Sequence, residues 1–224
     1  MERTDAEAIL RAHPEMLARG EITIFGLLMD RSGSMQRYGD TPRAVINGHI
    51  GKLQLDANAD GALGFVVTFA DDSRWDIPPQ PLAAMPLMSS YQAEGNTKLY
   101  ETVLKALREL MALKGKFLAQ GVKVNLILTV FTDGEDSYNI RSIIDELVQT
   151  SGLALEAQAK LELIGIGHPA KAIARAMGFP PQDAVQIEGS EEAMHRTMAG
   201  VTQRTHITMM GCSVPSTPAP PSSH

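Results

Sequence analysis

Asp30, Ser32 and Ser34 stand two residues apart, with Gly33 between the serines. One carboxylate and two hydroxyls at that spacing can turn toward a common point if the chain bends, and Gly33 permits a sharp bend. Such hard oxygens suit a cation like Mg2+, which takes oxygen ligands in near-octahedral geometry and keeps some water, whereas zinc and copper favour nitrogen or sulfur. The same residue types also cap helices by accepting from free N–H groups, so the triplet alone admits both readings. Two further segments carry oxygens of the same kind: Gly95-Asn96-Thr97, and Thr132-Asp133-Gly134-Glu135-Asp136.

The elements that must position these residues are legible as apolar patterns. Ile22, Ile24, Phe25, Leu27, Leu28 and Met29 run straight into Asp30 and predict a strand covered on both faces, as in a parallel sheet. Val122 to Phe131 repeats the theme: an apolar run, an acidic turn, then a helical stripe of Ile140, Ile143, Ile144 and Leu147. Between them, Ile46, Ile50 and Leu53 predict a helix over 44–58, with Thr41 and Pro42 as start signals. Residues 62–69 read as a strand and Ser73 to Ile77 as the return arm of a hairpin, ended by Pro78, Pro79 and Pro81 at a sheet edge. A loop over 88–96 leads to a helix marked by Leu99, Val103, Leu107, Leu110 and Met111, with Thr97 at its mouth. Leu161 to Ile166 is a strand, 170–177 a short helix, 184–187 a weak last strand, and Met194, Met198 and Val201 mark a final helix.

This alternation predicts an α/β fold: a doubly wound, mainly parallel sheet of about six strands with one antiparallel edge strand and helices on both faces. The expected organisation is an arm over 1–19, with a short helix at 5–18 interrupted by Pro14, one domain over 20–206, and a disordered Ser/Thr/Pro-rich tail over 207–224. Ligand sites in such sheets form beyond the carboxyl ends of strands, where strand order reverses. Asp30 and Asp133 both lie at such ends.

At 224 residues and 44% hydrophobic content, the chain suits one large domain with a full core. A net charge of −6 argues against nonspecific binding to nucleic acid or anionic membranes. Cys212 is the single cysteine, so no internal disulfide forms and a reducing compartment is expected. The first residues lack the apolar core of a signal peptide, and no segment approaches the roughly 18 apolar residues of a membrane span, so the expected location is the cytoplasm.

Together, Asp30-x-Ser32-x-Ser34, Gly95-Asn96-Thr97 and Phe131-Thr132-Asp133-Gly134, in that order and each at a strand or helix end, resemble the von Willebrand factor type A domain and its metal-ion-dependent adhesion site. The resemblance covers most of residues 20–205. It implies that Ser32 and Ser34 coordinate Mg2+ through their hydroxyls, with Asp30, Thr97 and Asp133 reaching it directly or through water; Mn2+ and Ca2+ are alternatives. It further implies that a Glu or Asp of a protein partner completes the coordination. The branch it points to is the cytoplasmic bacterial one, the tellurite-resistance type or the type paired with MoxR-like ATPases, whose partners are ATPases, kinases or phosphatases. The expectation is therefore a non-enzymatic binding module. The competing reading makes Asp30 the phosphoryl-accepting nucleophile of an Mg2+-dependent phosphatase, but such enzymes want a second Asp two residues on, where this chain has Ser32.

Glu135 and Asp136 read as solvated acids at a helix start, the alternative being that they enrich the field around a cation near Asp133 or orient waters there. Glu94 is similar. His168 reads as a turn histidine near the same rim, and Arg37, Tyr38 and Tyr91 as loop residues able to meet a partner. Met85, Met88, Met194, Met198, Met209 and Met210 read as core filler or tail.

Overall fold

Apolar segments that must bury two faces at once become the interior of the sheet, and amphipathic segments between them become its covers. In the computed structural model, which describes Ile9 and residues 11–211, the order is α1 (Pro14–Leu17), β1 (Glu21–Asp30), α2 (Thr41–Gln54), β2 (Ala62–Phe69), β3 (Ser73–Pro81), α3 (Leu99–Ala119), β4 (Lys123–Thr132), α4 (Arg141–Glu156), β5 (Lys160–Ile166), α5 (Ala170–Ala176), β6 (Ala184–Ile187) and α6 (Glu191–Met209). The six strands form one sheet in the order β3-β2-β1-β4-β5-β6. All neighbours are parallel except β3, which pairs antiparallel with β2 at one edge.

Side chains alternate along β1. Ile22, Ile24 and Leu28 join α3, α4 and α5 in one core, while Phe25, Leu27 and Met29 join α2 and α6 in the other. Ring and glycine face each other across the β1/β2 register: Gly26 lies opposite Phe65, and Gly64 opposite Phe25. A Cβ at either glycine would fall 2.3 Å from the opposing ring, so both positions are held open for an aromatic.

Several boundaries differ from expectation. β3 continues through Pro78 and Pro79 to Pro81 instead of ending at Ile77, because an edge strand needs no donors on its outer side and a register irregularity between Gly64 and Val66 takes up the mismatch. α2 runs from Thr41 to Gln54, earlier at both ends than 44–58. α6 extends to Met209, so 207–209 are helix and not tail, and Met209 packs on the second core. Pro14 interrupts the leading helix as expected: residues 11 and 12 are helical, His13 is not, and Pro14 opens a fresh turn, its missing N–H being harmless there. Met16 from that turn is buried in the first core. Residues 1–8 and 10, which hold the start of the expected leading helix, and 212–224, which hold Cys212 and the rest of the expected tail, lie outside the described residues. Among the described residues no helix is long and apolar enough to cross a membrane.

Candidate metal centre

The strand order reverses between β1 and β4, and the two strands run in register there, Met29 opposite Phe131. Asp30 ends β1, Thr132 ends β4 and Asp133 follows it, so the topology alone brings these three residues to the crevice where ligands bind in open α/β sheets.

Asp30 is completely buried. Its Oδ1 accepts the Ser32 N–H at 2.8 Å, and its Oδ2 accepts the Thr132 hydroxyl at 2.6 Å. Burial pushes its pKa up; the hydrogen bonds from Thr132 and Ser32 oppose the rise, and the negative charge of Asp133 adds to it. Ser32 and Ser34 then lead outward. Their hydroxyl oxygens are 3.1 Å apart, and Ser34 Oγ donates to Asp133 Oδ1 at 2.6 Å. Asp133, also buried, accepts from Arg37 Nη2 on its other oxygen, Oδ2, at 3.0 Å. Ser32 precedes a short 3-10 turn, Gly33–Tyr38, without capping it through its side chain, so its hydroxyl stays with the cluster. Gly33 is not in the left-handed region: its N–H donates to Gly95 O at 2.9 Å, and a Cβ there would make only ordinary contact with the same carbonyl at 3.4 Å, so neither a left-handed bend nor close approach demands glycine.

Thr97 arrives on a third loop stitched to the other two. The Glu94 N–H donates to Arg31 O at 2.7 Å and the Lys98 N–H to Ala70 O at 2.9 Å. Gly95 sits at φ +76°, and a Cβ there would fall 2.2 Å from Asp71 Oδ2, so the loop passes where only glycine fits. The buried Thr97 exchanges bonds with Ser137 beyond β4: Thr97 N–H to Ser137 Oγ at 3.0 Å, and Ser137 N–H to Thr97 O at 2.8 Å. Among the described residues, no hydrogen bond joins the Thr97 hydroxyl to Asp30, Ser32, Ser34 or Asp133. The structure thus links four of the expected residues directly and brings the fifth on an adjoining loop.

Four residues of this centre do more than their sequence setting suggested. Thr132 stands in the marked segment without a role of its own, yet it supplies a donor to Asp30 and its Oγ1 accepts the Gly134 N–H at 3.2 Å. Tyr91 donates its hydroxyl to the Asp30 carbonyl at 2.6 Å, and burial pushes its phenol pKa upward. Arg37, expected as an exposed loop residue able to meet a partner, reaches Asp133 itself. Asp136 is neither solvated nor at the start of α4: it is buried, with Oδ1 accepting Tyr100 N–H at 3.0 Å in the first turn of α3 and Oδ2 accepting Tyr138 N–H at 2.9 Å and Asn139 N–H at 2.7 Å. It ties the Asp133 loop to the helix that follows Thr97. Glu135 is exposed as expected, His168 is half-buried on its turn, and Met85, Met88, Met194 and Met198 fill the second core, with Met210 exposed.

Among the described residues no three His, Cys, Asp or Glu side chains gather as a metal cluster. The convergent set contains two carboxylates, the rest being hydroxyls. That composition fits a hard divalent cation that keeps water or accepts an outside ligand, and offers no nitrogen or sulfur to a softer one.

No protein-family model matches the sequence, and no curated protein matches it. Solved structures do. Proximal thread matrix protein 1 from the mussel byssus matches with a TM-score of 0.58 and 14% identity over 83% of this chain and 46% of that protein. A further structure of it has a zinc-occupied MIDAS motif. The pilus adhesin SpaC from Lactobacillus rhamnosus GG matches with a TM-score of 0.65 and 10% identity over 84% of this chain and 30% of its own. BatB from Bacteroides thetaiotaomicron matches with a TM-score of 0.54 and 15% identity over 85% of this chain and 98% of its own. The chain therefore spans less than half of the byssus protein and of the adhesin, and nearly all of BatB.

Proposed function

We propose, for a chain whose fold is that of the von Willebrand factor type A domain, that Asp30, Ser32, Ser34, Thr97 and Asp133 hold a divalent cation, Mg2+ in the first instance, and that the loaded site captures a carboxylate of a protein partner. Such a cation, when bound, would supply an electrophilic centre for an outside oxygen. The observation that carries the reading is the chain of contacts from Ser32 through Ser34 to Asp133, beside a buried Asp30. Two neighbouring carboxylates out of water repel each other, and a cation between them offsets that cost. The zinc-occupied motif of the byssus protein, on the same fold, supports divalent-metal binding here. Ser32, Ser34 and Thr97 bring neutral lone pairs, so the set adds no negative charge beyond Asp30 and Asp133, and a hard cation that keeps water can exchange it for an anionic oxygen from outside.

Phosphoryl transfer to Asp30 fits less well. Phosphatases with an Asp nucleophile want a second Asp two residues on as general acid, and here that position is Ser32, whose hydroxyl lies 3.1 Å from that of Ser34. We therefore read the chain as a binding module of bacterial cytoplasmic type, its partner a protein that presents Glu or Asp, with ATPases, kinases and phosphatases the first classes to look for.

Affinity capture from the source cells tests this in three arms: wild type with Mg2+, wild type with chelator, and Asp30→Asn with Mg2+. The expected outcome is a partner retained in the first arm alone, and lost when its own Glu or Asp is neutralised. Identical recovery in all three arms, or aryl-phosphate hydrolysis abolished by Asp30→Asn, overturns the reading.

A further inference from the structure

We infer that Arg37 is a built-in counter-cation that competes with the divalent ion for Asp133, so that loading the site requires Arg37 to let go. The inference rests on the metal-binding reading above.

Both oxygens of Asp133 are engaged, and the two donors are not equivalent. Ser34 donates to Oδ1 at 2.6 Å. A hydroxyl can do this and still direct its lone pairs to a cation, so Ser34 needs no rearrangement to serve as a ligand. Arg37 donates from Nη2 to Oδ2 at 3.0 Å. A guanidinium has no acceptor and cannot join a cation's shell. It also carries a fixed positive charge that repels a divalent ion at the same carboxylate. Arg37 is thus the contact that must yield.

Its surroundings allow that exchange. The Asp133 side chain is fully buried, whereas the Arg37 side chain is 56% exposed and can swing into water without leaving a cavity. The guanidinium carbon also lies 4.8 Å from the centre of the Tyr38 ring, which gives the cation a second support independent of Asp133. Tyr38 is in turn wedged against the turn before α6, where a Cβ on Gly189 would fall 2.7 Å from its hydroxyl. Arg37 can therefore move off Asp133 while its platform stays fixed. Without metal, Arg37 neutralises Asp133 and keeps the buried pair of carboxylates tolerable; with metal that task passes to the divalent ion.

Isothermal titration of metal-free protein with Mg2+ and, separately, Mn2+ tests the inference on wild type, Arg37→Gln, Arg37→Lys and Asp30→Asn. Competition for one site is reciprocal, and because Arg37 is half exposed the expected gain is at the low end of such couplings: Arg37→Gln binds about five- to tenfold tighter than wild type. Arg37→Lys, which keeps the charge, stays within about threefold of wild type by the same coupling argument. Equal or weaker binding by Arg37→Gln, with Asp30→Asn still abolishing binding, overturns the role of Arg37 and leaves the metal site standing. Absence of binding in wild type and Arg37→Gln alike overturns the metal-binding reading and this inference with it.

Discussion

Thr132 has one hydroxyl proton and a buried carboxylate 2.6 Å away to receive it. Asp30 was legible in the sequence because a carboxylate at the end of an apolar run is out of place, and Ser32, Ser34 and Asp133 because their residue types and strand-end positions match one chemistry. The bonds of Thr132 and Arg37 were not: both stand in segments that the sequence marks, but what each one holds comes from what the register and the fold bring opposite it. The weight of Thr132 can be measured. Thr132→Val keeps the shape but leaves Asp30 Oδ2 without its donor and the Gly134 N–H without its acceptor. Losing a donor to a buried carboxylate costs about 1–3 kcal/mol. Urea unfolding in chelator is expected to show a loss of that size with an unchanged slope; wild-type stability in the variant would mean that water replaces the hydroxyl and Asp30 is less isolated than its burial indicates.

Among elements, α6 is fastened to both the sheet and α2. Arg204 donates from Nε to Glu162 Oε1 at 2.5 Å, and Glu162, buried on β5, also accepts from Thr129 on β4 at 3.0 Å. On the other side, His49 of α2 is buried with Nδ1 2.9 Å from Thr202 Oγ1 of α6 and its ring edge-on to Phe25, centroids 5.6 Å apart. Because the Thr202 hydroxyl donates to Met198 O, His49 donates from Nδ1, and among the described residues its buried Nε2 has no hydrogen-bond partner. Burial, and after it the charge of Lys52, push its pKa down to about 3. The unfolded imidazole takes up a proton near pH 6.5, but the folded one resists until about pH 3, so between those values the unfolded state binds more protons and acid favours unfolding. The contribution is fully present above pH 6.5 and shrinks as pH falls, by about 2 kcal/mol at pH 5. Unfolding midpoints for wild type and His49→Gln at pH 7.5 and 5 give the difference directly, since His206, half exposed beside Asp56, is common to both and cancels. Equal acid sensitivity in the two proteins would show that His49 is protonated in the folded state. The elements themselves were visible in advance, because apolar runs and three-to-four spacings are local patterns. What ties them together was not: Asp136 looks like a helix-start acid by position and is a cap for a different helix, a fact that exists only in three dimensions.

At the scale of the molecule, the three loops of the centre come from separate crossovers yet behave as one rim, since Arg31 O, Gly33 N–H and Thr97 bond to Glu94, Gly95 and Ser137 respectively. Asp136 then joins that rim to the first turn of α3. β6, α5 and the C-terminal half of α4 share none of these bonds; β6 is paired with β5, and the helices are held by core packing. Ordering imposed at Asp30 and Asp133 should therefore travel around the rim and stop there, because backbone hydrogen bonds transmit restraint only where they are continuous. Hydrogen–deuterium exchange with Mg2+ against chelator is expected to show added protection over 31–38, 94–100 and 132–139, and none over 141–187 beyond the first turn of α4. Protection confined to 31–38 would mean that the loops respond separately and that Thr97 is not drawn into the site. Protection spread over the whole sheet would mean that the metal stabilises the fold globally and that the centre is not a local adhesive rim.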